Sequence, residues 1–371
     1  MKTFFKDILP RTILPAVLIT GITLIIAGMP VGCKSTAEGI RILDGDFSVP
    51  QLEHVEITGS TSMSLTFSKS VQMQSALVGS QDSTQEEAAC AYSDDSRTVT
   101  LEFPATTVGR NYLMEGVVRD GNGNSLTLSI PFTGYNDNMA QLVFSEVRGD
   151  ADLQNYMYEF VEFYVIWGGN LSGLEFESAG DGSARKYVFP AIDVSEGEYI
   201  TLHLRMPTSA NSDSPVQTGM VDELGSDLTA STARESCDTA RDLWTGDSKY
   251  RISPSDVLVL RNALNGTLQD ALLFALSSYS VWNSKYESIL KEVDKNQMWT
   301  DGEGKPSTEV SSAAGADNMT AKHTLSRQNI PQIKELRAGN ASEWIVTGVY
   351  GKSDNCSTPG YENSNTRYTK P

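Results

Sequence analysis

The stretch EFVEFYV, residues 159–165, decides how the chain is read. It sets two carboxylates in a run otherwise made of valine and aromatic residues, the composition of a buried strand. Side chains alternate along a strand. Glu159, Val161, Phe163 and Val165 are therefore expected on one face, and Tyr158, Phe160, Glu162 and Tyr164 on the other. A glycosidase needs two carboxylates on one sugar ring, about 5 to 10 Å apart, and two residues three apart on a regular strand face opposite ways. Glu146, in the neighbouring run QLVFSEVRG, would join either of them only through strand register.

The same β pattern extends in both directions. The chain has 371 residues, 39% hydrophobic and 20% charged, and is rich in glycine and small polar residues, which suits short strands joined by many turns. HVEITG, SMSLTFSKSV, RTVTLEF, NYLMEGVVRD and SLTLSIPF are short alternating runs separated by turn residues, and they predict a β-sandwich over 49–135. DGNGN (120–124) reads as a tight turn rather than a calcium loop, because no bidentate glutamate closes a 12-residue loop after it. The polar patch GYNDNMA (134–140) marks a boundary.

Residues 1–32 read as a leader: a basic start with Lys2, Lys6 and Arg11, an apolar run of 17 residues, then MPVGC. The Gly32-Cys33 junction resembles a lipobox, at which bacterial lipoproteins are cut and the new N-terminal cysteine is acylated; Pro30 replaces the usual leucine-like residue. The resemblance implies lipidation of Cys33 and a tether over 33–48. Lys34, in place of the aspartate that signals inner-membrane retention, points to the outer membrane, periplasmic or surface face. A formal charge of −18 and the absence of Lys/Arg clusters exclude nucleic acid as an expected partner.

Around LTFSKSV and VVRDGNGNSL the first unit resembles bacterial Ig-like domains of envelope proteins, through Phe67-Ser68, Val71 and the turn from Asp120 to Asn124. From residue 141 onward the chain resembles the lamin tail domain, itself an Ig-like β-sandwich. The matching segments occur in order: FSEVRG (144–149), EFVEFYV, GNLSGLEF (169–176), YVFPAIDVSEGEYITLHL (187–204), SDVLVLRNALNGTLQDALLF (255–274), TLSRQ (324–328), ASEWIV (341–346) and STPGYEN (357–363). The resemblance covers 141–364 and leaves 365–371 as a tail. It implies that Glu146 and Glu162 belong to the fold as carboxylates accepting hydrogen bonds, and that Gly173, Trp344, Pro359, Gly360 and Asn363 are structural motif residues.

With Cys33 acylated, Cys90, Cys237 and Cys356 remain; Cys237 and Cys356 share the second domain and are the expected disulfide pair. No CxxC or Cys/His spacing points to a metal, and no cofactor is expected. Two insertions depart from a compact lamin tail. Residues 205–250 read as a long polar loop. Within 275–322, the spacing of Val281, Trp282, Tyr286, Ile289, Leu290 and Val293 predicts an amphipathic helix over 279–299.

The fold expected is therefore mostly β, two Ig-like β-sandwich domains in tandem after a cleaved lipoprotein leader, the second with a helical insertion. No G-x-S-x-G, Walker or HExxH motif appears, and no enzyme activity is expected. The expected role is non-catalytic binding of a protein or polymer ligand by a lipid-anchored envelope protein. One alternative is a carbohydrate-binding accessory of a separate hydrolase, using exposed aromatics such as Trp167, Trp244 or Trp299. Another is a hydrolase acting through Glu146 or Glu162.

Overall fold

A computed structural model describes residues 47–80, 83–152, 155, 157–180, 185–205, 218–247, 249–348 and 356–370. The leader, Cys33 and most of the tether lie outside the described residues. From Val49 onward the protein is mostly β: two β-sandwiches in tandem, each with its own apolar core.

The first sandwich uses β1 (Leu52–Gly59), β2 (Ser62–Phe67), β3 (Gln72–Ser80), β4 (Glu86–Glu87), β5 (Ala89–Tyr92), β6 (Thr98–Glu102), β7 (Asn111–Arg119) and β8 (Ser125–Thr133). They form two four-stranded sheets, ordered β1-β2-β6-β5 and β4-β3-β7-β8. Alternate residues of β2, β6 and β7 (Met63, Leu65, Val99, Leu101, Met114 and Val118) meet between the sheets and are fully buried. The β3 to β5 segment has no counterpart in the sequence reading; in β3 a register shift between Met73 and Ser75 breaks the alternation that marks a strand. DGNGN is the turn between β7 and β8. Asp120 accepts from the backbone N–H of Asn122 and of Asn124, both at 2.9 Å, and Gly123 takes φ +87°.

The second sandwich contains β9 (Gln141–Arg148), β10 (Phe160–Trp167), β11 (Gly169–Asn170), β12 (Leu174–Ser178), β13 (Arg185–Val188), β14 (Asp193–Val194), β15 (Tyr199–His203), β16 (Ala240–Trp244), β17 (Asp256–Asn262), β18 (Leu268–Ala275), β19 (Trp299–Thr300), β20 (Ala314–Gly315), β21 (Leu325–Arg327), β22 (Gly339–Asn340) and β23 (Trp344–Val346). A six-stranded sheet, β16-β15-β10-β9-β21-β23, packs on a five-stranded one, β13-β12-β17-β18-β20. Phe163 from β10 sits at the centre of the core, with ring centroids 5.3 Å from Phe144, 5.8 Å from Phe176 and 5.4 Å from Phe189.

Where β21 stops pairing along β9, side chains from the opposite sheet take over its backbone N–H groups. Gln269 accepts from Leu142 at 2.9 Å and Asp270 from Phe144 at 2.8 Å. Asp270 is in turn paired with the buried Arg327, which also bonds Glu343. This ionic group ties the two sheets together inside the domain.

Two expectations about the insertions change. Within 205–250, Ala240–Trp244 is not loop but β16, paired in parallel with β15; Arg241 and Asp242 are buried there beside Glu223. Polar composition concealed it because these charges are matched inside: Arg241 bonds Glu198 and the carbonyls of Glu223 and Gly225. The helix expected over 279–299 is shorter, a 3₁₀ turn at Ser284–Tyr286 followed by α1 (Glu287–Asn296). Tyr286, Ile289 and Val293 do face the core, whereas Val281 is exposed and Trp299 belongs to β19. Gln297, in the left-handed region, ends the helix. Finally, the tail is held: Arg367 bridges Thr347, and the Tyr368 N–H donates to the Val346 carbonyl at 2.7 Å.

Candidate functional site

The outer face of the six-stranded sheet is closed off from solvent. Val161, Phe163 and Val165 point to the core, so Phe160, Glu162 and Tyr164 point outward, yet these are buried too. Ile330 and Ile333 cover Val143, Tyr164, Ile166 and Tyr199 at one end of this face. At the other end lie the segment around 234–237 and the chain from 356 to 364.

Across this face runs a polar row fixed by strand pairing. Ser326 on β21 lies beside Glu146 on β9, then Glu162 on β10, Thr201 on β15 and Asp242 on β16. A bulge at Ser145 shifts the β9–β10 register and places Glu146 directly opposite Glu162. Both carboxylates are fully buried. Glu159, by contrast, lies just before β10 and pairs with Arg205.

The two carboxylates grip the C-terminal STPGYEN segment. The Thr358 N–H donates to both oxygens of Glu146, at 3.2 and 3.0 Å, and Thr324 and Ser326 hydroxyls donate to its Oε1. The Gly360 N–H donates to Glu162 Oε2 at 2.6 Å, and the Ser145 hydroxyl to Oε1 at 2.8 Å. Asn363 completes the clasp: its amide donates to the carbonyls of Ser145 and Arg327 at 3.0 and 2.9 Å, and its oxygen accepts from Thr358 at 3.0 Å. Gly360 is required here. Its φ is +78°, and a Cβ would lie 2.5 Å from Thr239 Oγ1 and 3.0 Å from Cys237 Sγ.

Burial pushes the Glu146 carboxyl above its ordinary range. Burial also pushes Glu162 well above it, and the adjacent Glu146 charge adds to the shift. The pair meets every donor around it with an oxygen, and neither side chain reaches solvent.

Other expected positions separate. Gly173, at φ +89°, turns the chain into β12, and Trp344 opens β23 with Arg327 over its ring at 5.6 Å. Pro359 lies in the wall of a cavity beside the clasp. The expected disulfide is not formed: among the described residues there is none. Cys237 Sγ sits 3.0 Å from Thr239 Oγ1, and the Cys356 N–H donates to the Lys322 carbonyl. Of the aromatics expected to be exposed, Trp167 is (58%), but Trp244 (6%) and Trp299 (1%) are buried. Trp244 stacks on His203 at 3.9 Å, and Trp299 packs in the core with its N–H on the Ser312 carbonyl.

Sequence reasoning missed Arg148, whose buried guanidinium bonds Glu235 at 2.5 Å and Ser357 at 2.7 Å over the ring of Phe160. It also missed the His203–Asp242 pair, 2.6 Å apart. The available signal was a lone charge ending an apolar strand, as in FSEVR and TLH. Among the described residues no cluster of acidic, histidine or cysteine side chains is arranged to hold a metal, and no helix is long and apolar enough to cross a membrane.

Comparison with known proteins places this sandwich. Residues 140–346 match a family model described as the TP_1001 protein second domain. An uncharacterized protein of Treponema pallidum (strain Nichols) is 33% identical over 168 residues, which is 45% of this chain and 40% of that relative. The match thus spans well under half of the relative's length. The crystal structure of native alpha-2-macroglobulin from Escherichia coli spanning domains MG0-NIE-MG1 aligns over 81% of this chain and 97% of that one. The two share 14% identity, with a TM-score of 0.21.

Proposed function

The chain belongs to the family of the TP_1001 protein second domain, and from that premise we propose a lipid-anchored bacterial envelope protein that presents its two sandwiches for non-catalytic binding. In this reading Cys33 carries the lipid, 33–48 is the tether, 49–135 is an Ig-like domain and 141–364 is a lamin-tail-like domain whose ligand is a protein or a polymer. The observation that carries the non-catalytic part is the burial of Glu146 and Glu162 together, with their oxygens spent on holding 358–360. A general acid or base must be able to reach the proton it moves, and these carboxylates are bonded to groups of their own fold: 358–360, Ser145, Thr324 and Ser326. The leader, its lipobox-like junction and the acidic composition support the envelope.

The test is the intact mass and detergent partitioning of the native protein beside a Cys33→Ala form. The expected result is cleavage before Cys33 with added acyl mass and partition into detergent, all lost in the variant. A native protein with an unacylated Cys33 overturns the anchor.

A further inference from the structure

A strand at the edge of a sheet carries a row of backbone N–H and C=O groups with no strand beside it. Among the described residues, most edges of the two sandwiches are blunted. β4, β5, β13 and β20 are four residues long or less. β1 is longer but carries Glu53, His54 and Glu56. The outer side of β16 is taken by side chains: Glu223 accepts from the Asp242 N–H at 2.8 Å, and Asp222 from the Trp244 N–H at 2.7 Å. β23 is held by the tail at Tyr368. β8 is left.

β8 (Ser125–Thr133, SLTLSIPFT) is nine residues long and has no charged side chain, in a chain of net charge −18. It pairs with β7 alone. The bonds at the two ends of that ladder run from the Asp120 N–H to the Asn124 carbonyl and from the Gly134 N–H to the Arg110 carbonyl, all even-numbered residues. No register shift lies between them, so Leu126, Leu128, Ile130 and Phe132 turn their backbone groups to β7. Ser125, Thr127, Ser129 and Pro131 turn theirs away. Among the described residues no hydrogen bond reaches the outer groups of Ser125, Thr127 or Ser129, and all three side chains are exposed. Pro131 has no N–H to offer in this row.

The sequence of the edge says what pairs with it. Residues 125–129 read SLTLS, the same in both directions. A second β8 laid antiparallel about a two-fold axis through Thr127 sets Ser125 opposite Ser129, Leu126 opposite Leu128, and Thr127 opposite its own counterpart. In that register every outer N–H and C=O of Ser125, Thr127 and Ser129 is bonded, as an isologous interface requires. Threonine opposite threonine is a favourable cross-strand pair, and no like charges are opposed. An axis through Ser129 would instead set Pro131 opposite Thr127 and leave the Thr127 carbonyl without a donor. The second sandwich lies at the other end of β8, where Gly109 bonds Gly134 and packs against Ala191, so 125–129 is the open part of the edge.

We infer that β8 is an association edge, at which a second copy of this chain adds its own β8 in the register centred on Thr127 and joins two four-stranded sheets into one. So short an edge makes a small interface, and the association is transient. The inference goes beyond the envelope-binding reading and does not depend on lipid at Cys33.

A transient, register-specific pair is read by trapping it. In the paired state Thr127 and its counterpart are an exchanging pair with Cα atoms about 5.5 Å apart, within disulfide range. Ser125 and its counterpart are offset by four residues, about 13 Å along the strand. The purified full-length protein is oxidised with copper phenanthroline and run on non-reducing gels, with the unsubstituted chain as the blank for its own thiols.

Thr127→Cys should give at least about tenfold more covalent dimer than Ser125→Cys or Ser129→Cys, which cannot reach their own counterparts. The double variant Ser125→Cys/Ser129→Cys should crosslink, because each cysteine then faces the other kind. Adding Thr127→Lys to the double variant should abolish that dimer by opposing two like charges, with the melting temperature of the double variant unchanged. Thr127→Cys no better than the single serine variants, a double variant that stays monomeric, or a dimer that survives Thr127→Lys overturns the inference. So does trapping of Thr127→Cys on a different polypeptide with no dimer formed.

Discussion

Replacing Glu162 by glutamine separates a carboxylate that holds the fold from one that performs chemistry. In the folded protein Glu162 is sealed opposite Glu146, and burial with that neighbouring charge raises its pKa well above the ordinary value. An unfolded chain releases this proton from about pH 4.3 upward. The native state still holds it in that window, so raising the pH favours unfolding until the folded pKa is passed. Each unit of elevation costs the wild type about 1.4 kcal/mol at higher pH.

Glutamine keeps the shape and stays neutral. Its oxygen can take the Gly360 N–H and its amide can donate to the Ser145 hydroxyl, so no buried group is orphaned. Glu162→Gln should therefore match the wild type near pH 4 and gain on it steadily as the pH rises to 8. Glu162→Ala should lose at every pH, about 1–3 kcal/mol for each of the two stranded donors. Urea unfolding of the three proteins from pH 4 to 8, fitted with a common m-value, measures this. The reasoning is refuted if the wild type gains on Glu162→Gln as the pH rises, because the ionised carboxylate would then be the form that the fold prefers.

Gly360→Ala forces a Cβ against Thr239 and Cys237 at positive φ and should cost about 1–3 kcal/mol; faster proteolysis within 356–364 than in wild type would show that the clasp has opened. Arg327→Leu leaves Asp270 buried without its cation, while Glu343 keeps Arg337, and should cost about 3–5 kcal/mol by chemical denaturation. Burial raises Asp256 from 3.8 to about 7; the wild type should therefore lose stability as pH rises between those values, and Asp256→Asn should flatten that part of the curve in the same titration. Tyr286→Phe removes the 2.5 Å bond to the Ser255 carbonyl that anchors the helical insertion, for about 1 kcal/mol in melting experiments.

Much of this molecule is local and therefore legible in one dimension. Alternation of apolar residues in SMSLTF, TVTLE and FVEFYV fixed which residues meet in each core, because a strand's two faces follow from backbone geometry alone. Turn chemistry placed DGNGN, and the spacing of Tyr286, Ile289 and Val293 placed a helix, though not its ends. The long-range facts were not legible. Glu146 meets Glu162 only because a bulge at Ser145 shifts the register by one residue, and register depends on how whole strands pair. Strand β16 hid in a polar segment because its charges are matched by partners that the sequence keeps far away. The same holds for the clasp, in which the Thr358 N–H meets Glu146 from 212 residues away. Local propensity is set by each residue and its neighbours, whereas the satisfaction of a buried charge or hydroxyl is decided by whatever the folded chain brings beside it.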